Sequence, residues 1–148
     1  LKQGLQLSDL MITALRGEDE QKYLKSLKES LNKHGIKSCI PGVDTDPSEF
    51  WKPDHVTISN IYRAKGNEAW KVYACRFHCA TQPLAWRQES ELHKRNEAFV
   101  AITRARVWCV VTGLEAPIFE ELKAAKEQFP YLIFPAFNKN SLKRVTDE

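Results

Sequence analysis

Asp9-Leu-Met-Ile-Thr-Ala14, then Glu18 to Gly35, then Ile36-Lys-Ser-Cys-Ile40: this is the stretch whose reading decides the fold. Its first piece is a short apolar run of the kind a buried strand shows. Gly17 breaks the run, and Glu18, Asp19 and Glu20 suit the positive end of a helix that follows. Along that helix Tyr23, Leu24, Leu27 and Leu31 recur at spacings of three and four, which makes one buried stripe. Lys33 and His34 suit its negative end, and Gly35 is a good residue to follow it. Strand, helix, strand in this order is a βαβ unit, and it predicts a parallel sheet.

The rest of the chain extends that unit. Pro41 to Pro53 carries three prolines and several acids and reads as a loop, with Phe50 and Trp51 pinning it to the body. Val56–Ile61 is a third strand, Lys71–Cys75 a fourth and Val107–Thr112 a fifth. Between the third and fourth, Tyr62 to Ala69 is polar with a central Gly66. As a loop after a parallel strand it is expected at the carboxyl edge, where α/β proteins bind ligands. Residues 80–90, with Pro83 and Trp86, read as another loop. Glu91–Arg104 reads as a helix with Ala98, Phe99 and Ile102 inward, and Lys94 on the solvated face with Arg106 just beyond its end. Pro117–Phe129 is a helix that buries Ile118, Leu122, Ala125 and Phe129, and Tyr131–Phe134 is a last short strand. The expectation is one three-layer αβα domain over residues 1–137 with a mostly parallel sheet, and a polar tail over 138–148.

Composition narrows the function classes. A chain of 148 residues, 43% hydrophobic and 28% charged, can bury a core without metal or disulfides. The net charge of +3 does not by itself point to nucleic acid. No apolar run approaches the ~20 residues a membrane span needs, and the first residues lack the pattern of a signal peptide. Cysteines 39, 75, 79 and 109 are scattered through strand-like or apolar sequence and read as reduced core thiols of a cytoplasmic protein. Cys75-Arg-Phe-His-Cys79 invites a zinc reading. The two cysteines would share one strand face while His78 points to the other, and no second ligand pair follows, so no metal site is expected. The opening Leu1 in place of methionine reads as a piece of something larger.

Two stretches carry chemistry. Val56-Thr-Ile-Ser-Asn-Ile-Tyr-Arg-Ala-Lys-Gly-Asn-Glu68 resembles motif V of superfamily 1 helicases of the UvrD/Rep type. Asn96-Glu-Ala-Phe-Val-Ala-Ile-Thr-Arg-Ala105 resembles their motif VI, and the two occur in the family's order. The resemblance covers nearly the whole chain and implies the second, C-terminal RecA-like motor domain. It implies that ATP with Mg2+ is held mainly by an N-terminal RecA-like domain of the same polypeptide. It further implies single-stranded or partly duplex DNA as the track, with movement from 3′ to 5′. Consistent with that division, the chain has no Gly-x-x-x-x-Gly-Lys-Ser/Thr loop and no Walker B pair. The large subdomain inserted before motif V in UvrD and Rep is also missing.

On this resemblance Arg104 matches the arginine finger, which stabilises charge developing on the γ-phosphate. On sequence alone it is a helix-end arginine satisfying terminal carbonyls. Glu68 matches a glutamate beside the nucleotide; a carboxylate there needs a hydroxyl, water or cation as partner. Gly66 lets backbone approach a ligand, or simply makes a turn. Lys65 can pair with phosphate or with Glu68. Thr57, Tyr62 and Arg63 match the nucleic-acid side: a hydroxyl and a guanidinium for phosphate, and a ring for base stacking. The family often has histidine at Tyr62, and Thr57 is equally a good strand residue. Phe99, at the motif's aromatic position, is expected in the core. The alternative function is a non-catalytic RecA-like nucleic-acid-binding or interaction module.

Overall fold

The computed structural model describes residues 4–84 and 88–129. Trp86, the predicted strand Tyr131–Phe134 and the polar tail from residue 138 lie outside the described residues. Five strands form one sheet: β1 (Leu10–Ala14), β2 (Ser38–Cys39), β3 (Val56–Asn60), β4 (Ala69–Cys75) and β5 (Ala105–Val111). Their order is β2-β3-β1-β4-β5, and every pairing is parallel. All five residues of β1 are buried, as expected of a central strand flanked on both sides and covered on both faces.

Helix α1 (Glu20–Lys33) covers one face, packing Leu24, with Tyr23, Leu27 and Leu31, on Leu10, Ile12, Val56 and Ile58. It ends as the sequence predicts. Gly35 sits at φ 71, its N–H donates to Asn32, and the Ile36 N–H reaches back to Leu31, closing a Schellman turn. The other face carries α3 (Glu91–Ile102), with Ala98 and Ala101 packed against Ala74, Phe77 and Ala80, and Ile118 of α4 (Pro117–Gln128) in the same cluster. The result is a three-layer αβα arrangement consistent with a RecA-like fold.

Several local expectations are corrected. The second strand is only Ser38–Cys39, not 36–40. The stretch after β3 is not all loop: Asn60 accepts a hydrogen bond from the Arg63 N–H (3.0 Å) and starts a one-turn helix, α2 (Ile61–Ala64). A 3-10 helix (Phe77–Thr81) occupies the start of the second expected loop. Phe129 is exposed rather than buried.

The inner face of α3 is the largest correction. Phe99 is 67% exposed and Ile102 37%, while Lys94 is wholly buried and Glu97 nearly so. Lys94, Glu97, Ala98 and Ala101 keep the i, i+3, i+4, i+7 spacing of a packed stripe. Small alanines let the helix lie close on the sheet, which turns the bulkier Phe99 outward.

Candidate functional site

The predicted site residues fall at opposite ends of the parallel strands. The chain leaves β3 at the carboxyl edge, crosses one face through α2, and enters β4 at the amino edge. Tyr62 and Arg63 therefore stay near the carboxyl edge, whereas Lys65, Gly66 and Glu68 arrive at the amino edge. The expectation that this whole stretch lies at the carboxyl edge holds only for its first residues.

Arg104 precedes β5 and reaches the same amino edge. Its carbonyl accepts the Ala69 N–H at 3.0 Å, so Glu68 and Arg104 flank one backbone hydrogen bond. Lys65 and Glu68 are exposed, and Gly66 takes φ 87, a conformation that favours glycine, with open space where a Cβ would stand. The Arg106 Nε lies 3.4 Å from a Glu68 oxygen, with both side chains about half exposed. Arg104 and Arg106 thus flank the start of β5 beside Glu68, with Lys65 in the exposed turn that precedes it. The Arg104 guanidinium is turned back on its own helix: Nε donates to the Val100 carbonyl (3.2 Å) and Nη2 to the Thr103 hydroxyl (3.3 Å). It occupies the helix-end position that unaided sequence reading assigns it.

Thr57 does not fit a nucleic-acid contact. It lies within β3 and is fully buried, next to Met11 on β1 and Cys39 on β2. Arg63 is exposed, but its guanidinium donates to the Pro47 carbonyl (2.8 Å) and lies against Gly42, tying down the 41–53 loop.

Tyr62 stands over a cluster of buried charge that the sequence does not announce. Its hydroxyl donates to Glu97 (2.9 Å) and lies 3.0 Å from the His93 Nε2, while the Arg16 guanidinium covers its ring at 4.7 Å. Beneath it the Lys94 ammonium donates to the Arg16 carbonyl (2.7 Å) and pairs with Glu89 (3.0 Å) and Glu97 (3.3 Å). Arg16 also pairs with both carboxylates. Burial, and next the hydrogen bond to Glu97, push the Tyr62 phenol up to about 12. Burial pushes Glu89 upward, but the hydrogen bond and charge of Lys94, with Arg16, outweigh it and hold the carboxyl below its usual range. The signal that could reveal the cluster is the 94, 97, 98, 101 spacing. It stays hidden because a lysine and a glutamate ordinarily count as solvent-facing.

The zinc reading is corrected in its geometry. Cys79 belongs to the 3-10 helix, not to a strand, so Cys75 and Cys79 pack in core clusters on opposite faces of the sheet. His78 accepts the Leu114 N–H on Nδ1 (3.1 Å), which fixes the turn after β5. Among the described residues no group of three or more His, Cys, Asp or Glu side chains is placed to hold a metal ion. None of the described helices is long and apolar enough to cross a membrane.

No protein-family model matches the chain, and comparison with curated proteins gives no match either.

Proposed function

We propose that this chain is the C-terminal motor domain of an ATP-dependent superfamily 1 DNA helicase, acting with an N-terminal RecA-like domain of the same polypeptide in the cytoplasm. One observation carries the reading. Glu68 and Arg104, both expected near nucleotide, come from two distant stretches and flank the Ala69–Arg104 backbone bond, and Lys65 and Gly66 lie in the exposed turn just before Glu68. Tyr62, expected near nucleic acid, lies at the other end of strands about 20 Å long. The guanidinium groups of Arg104 and Arg106 on the two sides of Ala105 suit a polyphosphate, and Arg106 beside Glu68 supplies the cation that a carboxylate near phosphate requires.

In this reading Mg-ATP is held by the partner domain, and this chain closes over its terminal phosphate. Arg104 leaves the Val100 carbonyl on closure and donates to the oxygens that gain charge in phosphoryl transfer. Lys65 and Glu68 link the nucleotide to the motif that carries Tyr62, the residue that in this reading grips single-stranded or partly duplex DNA. Thr57 takes no part in that grip because it is buried, and Arg63 serves the loop it already holds.

The test is Arg104→Ala in the full-length protein. DNA-stimulated ATP hydrolysis is expected to fall by a factor on the order of 10³ or more. A rate within a few-fold of the wild type would sink the finger assignment. Arg104's engagement with its own helix favours a second reading, a non-catalytic nucleic-acid-binding module. That reading predicts unchanged nucleic-acid binding by Arg104→Ala and no DNA-stimulated hydrolysis by the parent protein.

A further inference from the structure

Four charges lie largely out of water at the carboxyl edge: Arg16 and Lys94 against Glu89 and Glu97, with side-chain exposures of 22%, 0%, 6% and 5%. A buried set of this kind is seldom more stable than apolar side chains of the same shape, so its value lies in the geometry it fixes. Its only aromatic attachment among the described residues is Tyr62, which is 47% exposed although its hydroxyl is held by a nearly buried carboxylate. One face of the ring is taken by Arg16. An aromatic side chain with its tip tethered and one face covered has lost its rotational freedom before any ligand arrives, and it presents a flat surface to solvent at little further entropic cost.

We propose that Glu97 is a positioning residue that locks Tyr62 as a stacking platform for one base of a single-stranded nucleic acid, with Arg16 backing the ring. Lys94 and Arg16 hold the carboxylate in place, and His93, 3.6 Å from Glu97, lines a shallow cleft beside Arg16 together with Ser90. The inference rests on reading Tyr62 as a nucleic-acid contact. It adds that the contact depends on a carboxylate from the helix that ends near Arg104.

The experiment uses the 148-residue chain and a fluorescent oligothymidylate of about 15 nucleotides, a length within the range one binding domain covers, carrying one 2-aminopurine. Anisotropy reads affinity, 2-aminopurine quenching reads stacking, and thermal melting checks the fold. Tyr62→Ala is expected to weaken binding roughly tenfold or more, the loss of one stacked base. Tyr62→Phe keeps the ring and removes only the tether; it is expected to weaken binding more than about threefold and to reduce quenching. Glu97→Gln keeps an acceptor oxygen but loses the charge-assisted bond, so it is expected to weaken binding by no more than Tyr62→Phe does and to add nothing in the Tyr62→Phe background. If Tyr62→Ala weakens binding but Tyr62→Phe binds like the wild type, the positioning role is overturned and the base contact stands. If Tyr62→Ala also binds like the wild type, the contact itself is overturned, and the positioning role with it. Should Glu97→Gln fail to fold, Tyr62→Phe decides alone.

Discussion

Lys94 is the residue whose removal should cost most. Its ammonium has no access to water and is matched by Glu89, Glu97 and the Arg16 carbonyl, so deleting it leaves two largely buried carboxylates to share the Arg16 guanidinium. Lys94→Met is expected to destabilise the chain by about 3–5 kcal/mol in urea unfolding. Pairing it with Glu97→Leu should return more than half of that loss, because the uncompensated charge goes with its partner. A double variant no more stable than Lys94→Met would show that the ion cluster is not the origin of the cost. Arg104 stands at the opposite extreme. Its two hydrogen bonds, to the Val100 carbonyl and the Thr103 hydroxyl, are long and not fully buried, and Arg104→Ala should cost only about 1 kcal/mol of stability. That small cost makes the variant a clean probe of hydrolysis. The environment of Lys94 is hidden in the sequence, where it reads as a solvated face, whereas the helix-end bond of Arg104 is what its position predicts and only the family resemblance turns it outward as a finger.

The elements are far more legible than their faces. The apolar run of β1 and the leucine stripe and Gly35 stop of α1 are local signals, and local physics decides them. The start of α4 at Pro117 is legible for the same reason. Which side of α3 turns inward depends on how closely it approaches the sheet, and no single-helix pattern contains that distance. The same holds for α2, whose one turn is started by an asparagine side chain and is too short to show periodicity. The Gly35 turn offers a test free of packing effects. It has φ 71, and a Cβ added there would meet nothing within 4 Å, so any loss on Gly35→Ala is a backbone cost. A destabilisation of about 1 kcal/mol is expected, and an unchanged melting temperature would mean that the helix end relaxes freely.

Across the whole molecule, parallel order separates two chemistries by one strand length. The division between an amino corner holding Glu68 and Arg106 and an ion-clustered carboxyl corner cannot be read from motif spacing, because Tyr62 and Glu68 are six residues apart yet belong to different edges. The molecule should also be sensitive to acid. Burial pushes Asp44 up, but its hydrogen bonds from Lys28 and the Ile40 N–H prevail, so its carboxyl, like that of Glu89, is held below the ordinary range. Depressed carboxyls bind fewer protons in the folded than in the unfolded chain. Their stabilisation is therefore present above the unfolded carboxylate range and is lost as pH falls through the folded values. Melting temperature is expected to drop between about pH 5 and pH 2, and Asp44→Asn should flatten that decline. An equally steep decline in the variant would exclude Asp44 as a contributor.

Trp70 gives the amino corner an optical property of its own. The indole is 47% exposed, and Arg106 lies 5.9 Å from its ring while also facing Glu68. Any polyphosphate that draws Arg106 away removes a cation from the indole face and changes the polarity around it. On the proposed function, a variant that keeps Trp70 and replaces the other three of the four tryptophans would report domain closure by its own emission, without an attached label.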